Sequence, residues 1–183
     1  MARADGRLTA DLNPQDHGPQ DACGVIGIYA PGEEVSKLTY FGMYALQHRG
    51  QESAGMAVSD GRHMMVFKDM GLVSQVFDEA TLNSLQGHMA VGHTRYSTTG
   101  ASIWDNAQPT FRSRQGGDGL ALAHNGNLTN TGALEALIAE RAPDTEVPHK
   151  DRMDSSNDTS LVTALMTTYD GTLEEVAAQV LPH

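Results

Sequence analysis

The sequence predicts a single α+β domain whose helices and strands are stacked in layers. The chain has 183 residues, of which 39% are hydrophobic and 19% are charged, so it can bury one sizeable core. Strand-like runs cluster in its middle, with helical patterns before and after them, rather than alternating as in βαβ proteins. The 19 glycines indicate many tight turns, and no internal repeat is visible.

The fold is predicted to begin near Cys23, at the end of a polar segment. Residues 1–22 are rich in Asp, Asn, Gln, Gly and Pro, a composition that favours disorder. A β-branched apolar run follows at 23–29. Apolar residues then recur at steps of three and four over 34–48, which predicts a helix with one buried face that ends at Gly50.

Strand-like runs occupy the central part of the chain. Residues 53–59 and 63–68 are short apolar runs separated by Asp60-Gly61, a dipeptide typical of hairpin turns. Residues 89–96 and 120–123 have the same apolar character. The sequence therefore predicts a group of four strands after the first helix.

Three further helices are predicted after these strands. Apolar residues at helical spacing indicate one helix over 134–141 and another over 161–169. Thr172 and Glu175 have the spacing of a capping box and open the last helix.

The composition argues against two classes of partner. The formal charge is −11 and the pI near 5.0, and the 12 lysines and arginines form no run that could bind phosphates. No apolar stretch approaches the roughly 20 residues needed to cross a bilayer, and residues 1–22 lack the hydrophobic core of a secretory signal. We therefore predict a cytoplasmic protein with no nucleic-acid or membrane partner.

Cys23 is the only cysteine in the chain, which limits what its thiol can do. It cannot form an internal disulfide or supply the several thiolates of a zinc or iron–sulfur site. An inert thiol and a reactive centre remain, and position alone favours the inert thiol. His88 and His93 fall on opposite faces of an extended strand, so no metal site is predicted there.

Two polar segments carry groups suited to binding or catalysis. Arg95 follows an apolar strand, and its planar guanidinium can bind a small carboxylate through two parallel hydrogen bonds. A structural salt bridge is an equal alternative. Asn125 and Gly126 follow another apolar run, where an amide and a backbone N–H can stabilise an oxyanion. An Asn-Gly turn explains the same residues, and considered alone it is the better explanation.

Six segments together resemble one family, the glutaminase domain of amidophosphoribosyltransferases, from Cys23 to about Leu181. In chain order they are Cys23-Gly24-Val25-Ile26-Gly27, Gln47-His48-Arg49-Gly50-Gln51-Glu52-Ser53-Ala54-Gly55, Gly71-Leu72-Val73, Gly92-His93-Thr94-Arg95-Tyr96-Ser97-Thr98, Ala107-Gln108-Pro109 and His124-Asn125-Gly126-Asn127-Leu128. The family consists of class II glutamine amidotransferases, and the resemblance implies their four-layer αββα N-terminal-nucleophile hydrolase fold. The Gln-His-Arg-Gly-Gln form favours the purine enzyme over glucosamine-6-phosphate synthase or asparagine synthetase relatives.

The resemblance implies that Cys23 is a catalytic nucleophile. In the family a propeptide is removed, here residues 1–22, so that the cysteine becomes the first residue. Its free α-amine has an ordinary pKa of about 7.7–8.0, against about 8.5 for a thiol, and can accept the thiol proton. The thiolate then attacks the side-chain amide of glutamine, with Asn125 and Gly126 as the oxyanion hole.

The resemblance also implies which groups hold glutamine. Arg95 is expected to bind the α-carboxylate and Asp158 the α-ammonium group. Relatives often carry Asp-Ser-Glu or Asp-Thr-Glu, whereas this chain has Asp158-Thr159-Ser160, so the third position departs from the family pattern. An acid that stabilises a helix N-terminus is the alternative interpretation of Asp158. His48 and Arg49 are expected to be architectural.

The family implies more protein than this sequence contains. Residues 23–183 are expected to form a type 2 glutamine amidotransferase domain that is incomplete at its C-terminus and lacks the phosphoribosyltransferase domain. That absent domain implies phosphoribosyl pyrophosphate as second substrate, Mg²⁺ and, in some relatives, an iron–sulfur cluster. The whole enzyme is expected to be a homo-oligomer, and no cofactor or metal is expected within this segment.

Other functions stay open at this point. The chain can be a catalytically silent regulatory or scaffold domain of the same fold, or part of another class II glutamine amidotransferase. It can also be an ordinary cysteine hydrolase that pairs Cys23 with His93 or His124.

Overall fold

The computed structural model describes residues 23–96, 102–114, 119–143 and 158–182, and the predicted propeptide, residues 1–22, lies outside them. The strands of the described part are β1 (Gly24–Tyr29), β2 (Ser53–Ser59), β3 (Met64–Met70), β4 (Met89–Arg95), β5 (Thr110–Ser113) and β6 (Gly119–Leu122). Its α-helices are α1 (Val35–Ala45), α2 (Val73–Val76), α3 (Glu79–Ser84), α4 (Thr131–Arg141), α5 (Asp158–Thr167) and α6 (Leu173–Val180). Short 3₁₀ helices lie at Gln47–Arg49 and Trp104–Asn106.

The larger sheet brings three parts of the chain together beside Cys23. Its four strands lie in the order β1-β4-β2-β3, and all neighbours are antiparallel. Gly24 pairs with Thr94, and Ser53 pairs with Arg95 on the other side of β4. The starts of β1 and β2 therefore meet the end of β4 at one end of the sheet.

One face of this sheet packs against α1, α2 and α3. Fully buried side chains such as Met43, Met56 and Val58 form the core between the sheet and these helices. Helix α1 approaches β4 closely at Gly92, where a Cβ atom would lie 2.7 Å from the sulfur of Met43. A glycine is required there because the space is already filled.

The smaller sheet consists of β5 antiparallel to β6, and it packs against helices α4, α5 and α6. The hydroxyl groups of Thr110 in β5 and Thr163 in α5 lie 2.5 Å apart in this second core. The remaining face of the larger sheet contacts the segments that flank the smaller sheet, through Lys68 to Ala107 and through His93 to His124. The layers are therefore helices, sheet, sheet and helices.

Most of the predicted elements are present. The predicted helix over 34–48 is α1 followed by the 3₁₀ helix, and the four predicted strands are β2, β3, β4 and β6, with ends shifted by at most two residues. The three later helices are α4, α5 and α6. The capping box is also confirmed, since Glu175 N donates to Thr172 Oγ1 at 3.3 Å and Thr172 N donates to Glu175 Oε2 at 2.8 Å.

The sequence patterns did not predict β5, α2 or α3. These elements have four, four and six residues, so each is too short to show a hydrophobic period. Helix α3 does carry a local signal, because the Asp78 carboxylate accepts a hydrogen bond from Thr81 N at 2.7 Å. Within the described ranges, no helix is long and apolar enough to cross a membrane.

Candidate active site

Cys23 lies directly before β1, beside the end of β4. Tyr96 N donates a hydrogen bond to Cys23 Sγ at 3.4 Å, and the thiol lies 3.5 Å from Tyr96 O, its acceptor. The residue is only partly buried. The thiol is therefore accessible, and it contacts two main-chain groups of Tyr96, the residue that follows β4.

Two side chains from distant parts of the chain converge on the carbonyl oxygen of Cys23. Asn125 Nδ2 donates to it at 2.8 Å, and Arg49 Nε donates to it at 3.2 Å. Asn125 is separated from Cys23 by 102 residues, so the fold alone brings the amide to the thiol-bearing residue. Arg49, which was expected to be architectural, therefore contacts the same backbone atom as Asn125.

Gly126 stands next to Asn125 on the exposed side of the turn after β6. A Cβ atom at this position would lie 2.6 Å from Nε2 of the His124 ring. A larger residue there would require that ring to move. Of the two residues predicted to form the oxyanion hole, Asn125 contacts Cys23 and Gly126 follows it in the turn.

Arg95 is buried at the end of β4 and forms an ion pair. Its Nη1 lies 2.7 Å from Glu52 Oε1, and the side chains are only 9% and 14% exposed. Glu52 N also donates to Arg95 O at 3.0 Å. The salt bridge that the sequence left as an alternative is present, and carboxylate binding by the same guanidinium stays a prediction.

Asp158 is the first residue of α5, and its carboxylate joins that helix to the Asn125 turn. Oδ1 accepts a hydrogen bond from Thr159 N at 2.8 Å, and Oδ2 accepts one from Leu128 N at 2.7 Å. The Nδ1 atom of His124 lies 4.0 Å from Oδ1. The helix-terminal role is therefore observed, and the binding of an ammonium group stays a prediction.

The described residues contain no hydrogen bond between Cys23 and either histidine considered as its partner. His93 is completely buried, and burial, followed by the positive charges of Arg95 and His124, lowers its pKa to about 4. The hydrogen bond to His124 O opposes this shift but does not overcome it. With a pKa of about 4 the ring is a weak base at neutral pH, and its Nε2 faces the His124 carbonyl oxygen rather than Cys23.

Sequence patterns gave no role to Gln108 or Glu52 in this region, and they suggested His93 only as an alternative partner of Cys23. Gln108 Oε1 accepts a hydrogen bond from His124 N at 2.8 Å, and His93 Nε2 lies 3.2 Å from His124 O. Gln108 belongs to the Ala107-Gln108-Pro109 segment of the family resemblance, which was the only signal for it. Across the described ranges, no group of three His, Cys, Asp or Glu residues is placed to hold a metal ion.

Comparison with known proteins identifies close relatives by sequence. No protein-family model matches the chain. An amidophosphoribosyltransferase from Mycobacterium tuberculosis (strain ATCC 25618 / H37Rv) is 53% identical over 184 residues, which cover 96% of this chain and 33% of that protein. An amidophosphoribosyltransferase from Synechocystis sp. is 63% identical over 123 residues, which cover 67% of this chain and 25% of that protein.

Two solved structures resemble the fold. Glutamine phosphoribosylpyrophosphate amidotransferase from B. subtilis, complexed with ADP and GMP, matches with a TM-score of 0.69 and 33% identity over 86% of this chain. A second structure, described as the allosteric regulatory enzyme of purine biosynthesis, matches with a TM-score of 0.72 and 34% identity. These neighbours confirm the predicted α+β fold of the class II glutamine amidotransferases. The chain spans about a third of the length of these relatives.

Proposed function

We propose that this chain, which belongs with the amidophosphoribosyltransferases in sequence and fold, is the glutaminase part of such an enzyme. It hydrolyses glutamine to glutamate and ammonia, and the ammonia displaces pyrophosphate from phosphoribosyl pyrophosphate to give 5-phosphoribosylamine, the first step of purine synthesis. One observation carries the proposal: the Asn125 amide lies 2.8 Å from the carbonyl oxygen of Cys23, across 102 residues of sequence. This contact supports the proposal, because it brings a side-chain amide donor next to the residue that carries the thiol.

Removal of residues 1–22 is part of this proposal, because the mechanism needs the α-amine of Cys23. The amine takes the thiol proton, and the thiolate adds to the side-chain carbonyl carbon of glutamine. The oxygen of that carbonyl becomes negative, and the Asn125 amide and the Gly126 N–H stabilise it. The carbon–nitrogen bond then breaks, ammonia leaves with the proton from the amine, and water hydrolyses the γ-glutamyl thioester.

We assign the two charged residues to the ends of the substrate. Arg95 binds the α-carboxylate, which is supported by its position at the end of β4, one residue before the Tyr96 main chain that contacts Cys23. Asp158 binds the α-ammonium group, which is supported by its link to the Asn125 turn through Leu128 N. In this assignment both residues keep their protein partners, and the substrate adds a further charged group to each.

The proposal extends to the rest of the enzyme. The remaining two thirds of the relatives' length is proposed to carry the phosphoribosyltransferase activity, with Mg²⁺ and, in enzymes with propeptides, an iron–sulfur cluster. The whole enzyme is proposed to be a cytoplasmic homo-oligomer. A silent scaffold domain of the same fold is the competing function, and the experiment below separates the two.

Mass spectrometry of the mature full-length protein tests the proposal. We expect the chain to begin at Cys23 and to gain one covalent adduct on that residue when treated with the glutamine analogue 6-diazo-5-oxo-norleucine. The Cys23→Ala variant should form no adduct and should lose glutaminase activity by at least about 10⁴-fold, because the nucleophile is absent. A silent domain would form no adduct, and normal glutamine hydrolysis by a protein that retains residues 1–22 would refute the mechanism.

A further inference from the structure

Both main-chain groups of His124 are bound by buried side chains. The N–H donates to Gln108 Oε1 at 2.8 Å, and the carbonyl oxygen lies 3.2 Å from Nε2 of His93. Gln108 is 7% exposed and His93 is completely buried. The residue that precedes Asn125 is therefore held from both sides by groups that solvent cannot easily replace.

The two side chains come from different layers of the fold. His93 belongs to β4 of the larger sheet, and it pairs with Val25 of β1, two residues from the nucleophile. Gln108 lies just before β5 of the smaller sheet. A bond from each side chain to His124 therefore connects the strand next to Cys23, the turn that carries Asn125 and the second sheet.

The only hydrogen bond that the His93 ring forms among the described residues is the one to His124 O. A carbonyl oxygen can only accept, so Nε2 of the ring must carry the proton and donate it. The other nitrogen, Nδ1, is buried and has no hydrogen-bond partner among the described residues. The tautomer is thus determined by His124 O, and the proposed reaction needs no proton from this ring.

We propose that His93 and Gln108 are positioning residues for the oxyanion hole. They hold the backbone of His124 so that the Asn125 amide and the Gly126 N–H point to the oxygen that becomes negative when Cys23 attacks. This inference rests on the proposed glutaminase function. Misplacing a catalytic group by about 1 Å can lower a rate on the order of 10²-fold, so the bonds are expected to act on kcat.

Matched variants of His93 in the full-length enzyme test this role. His93→Met fills a similar volume without a donor, whereas the amide nitrogen of His93→Gln reaches about the same point as Nε2. We expect His93→Met and Gln108→Met to lower kcat for glutamine hydrolysis by about 10- to 100-fold, with KM changed by less than about threefold. His93→Gln should keep kcat within about threefold of the wild type. The rate of adduct formation by 6-diazo-5-oxo-norleucine should follow kcat.

Three results would overturn the inference. One is an unchanged kcat in His93→Met. Another is a loss in His93→Gln as large as in His93→Met, and the third is a change confined to KM. If His93→Met does not fold, as judged by thermal melting, Gln108→Met and His93→Gln decide the question in the same way. A wild-type enzyme that forms no adduct at Cys23 would instead refute the proposed function itself.

Discussion

The two halves of the proposed glutamine site differ in how exposed their side chains are and in which protein groups they already bind. Cys23 and Asn125, which would act on the amide, are partly or fully exposed and bind main-chain atoms. Arg95 and Asp158, which would bind the charged end, have partners of their own, in Glu52 and in two backbone N–H groups. In this proposal the first half carries out the chemistry, whereas the second half also stabilises the fold.

The largest effect is expected at Arg95, where one substitution should reduce both the stability of the protein and its affinity for glutamine. In Arg95→Met the Glu52 carboxylate stays buried without this partner, which should lower the free energy of unfolding by about 3 kcal/mol. The double variant Glu52→Gln/Arg95→Met should recover most of that loss, because no buried charge of the pair remains. Urea-induced unfolding measures the first effect, and KM for glutamine, expected to be high in both variants, measures the second.

Lys37→Met is the matched control for this pair. Lys37 lies 2.7 Å from Glu34 in an ion pair whose side chains are 35% and 70% exposed. Exposed ion pairs contribute little to stability, so the free energy of unfolding of the Lys37→Met variant should not differ measurably from that of the wild type. If the double variant is as unstable as Arg95→Met alone, or if it binds glutamine normally, the dual role assigned to Arg95 is wrong.

Asn125 should give the opposite result, a loss of rate without a loss of structure. In Asn125→Ala the oxyanion loses its side-chain donor, so kcat should fall by about 10²- to 10³-fold while KM and thermal stability change little. Asn127→Ala is the matched control, since Asn127 is an exposed amide two residues away in the same turn. Equal kinetics for the two variants would remove Asn125 from the mechanism.

The sequence could predict the residues of the proposed site, but it could not predict the protein groups that those residues bind. Cys23 and Asn125 were assigned because the family resemblance names them, and the fold then placed them together. Glu52 could not be assigned as the partner of Arg95, because the pair depends on the register in which Ser53 of β2 lies opposite Arg95 of β4. Contacts such as Arg49 to Cys23 O likewise join residues that no local pattern connects.

The fold shows the same limit at the level of elements. Longer segments such as α1 and β4 were predicted nearly to their ends. Helix α1 buries one face, which gives it a helical period, whereas β4 begins with an apolar run and is buried along most of its length. Strand β5 has four residues, and its place is determined by pairing with β6 and by contact with α5 rather than by its own pattern. Tertiary contacts determine where such short elements form, and these contacts cannot be read from a local sequence pattern.

The smallest expected effect is a loss of stability at acid pH. It tests whether His93, which bonds the main chain of His124 beside Asn125, is a neutral ring. The folded pKa is about 4 and the ordinary value is 6.5, so between these limits the unfolded chain binds a proton that the folded chain does not. The contribution to stability is complete above pH 6.5 and declines as the pH falls towards 4. Unfolding by urea should therefore show a loss of roughly 2 kcal/mol between pH 7 and pH 5.

His93→Gln separates this histidine from the other titrating groups, because the amide keeps the donor but has no proton to gain. Its stability should lack the His93 part of the decline between pH 7 and pH 5. The carboxylates of Asp60 and Asp78 do not interfere, since hydrogen bonds from nearby backbone N–H groups lower their pKa below 3.8. If the variant and the wild type lose the same stability over this range, the His93 ring is not kept neutral by burial.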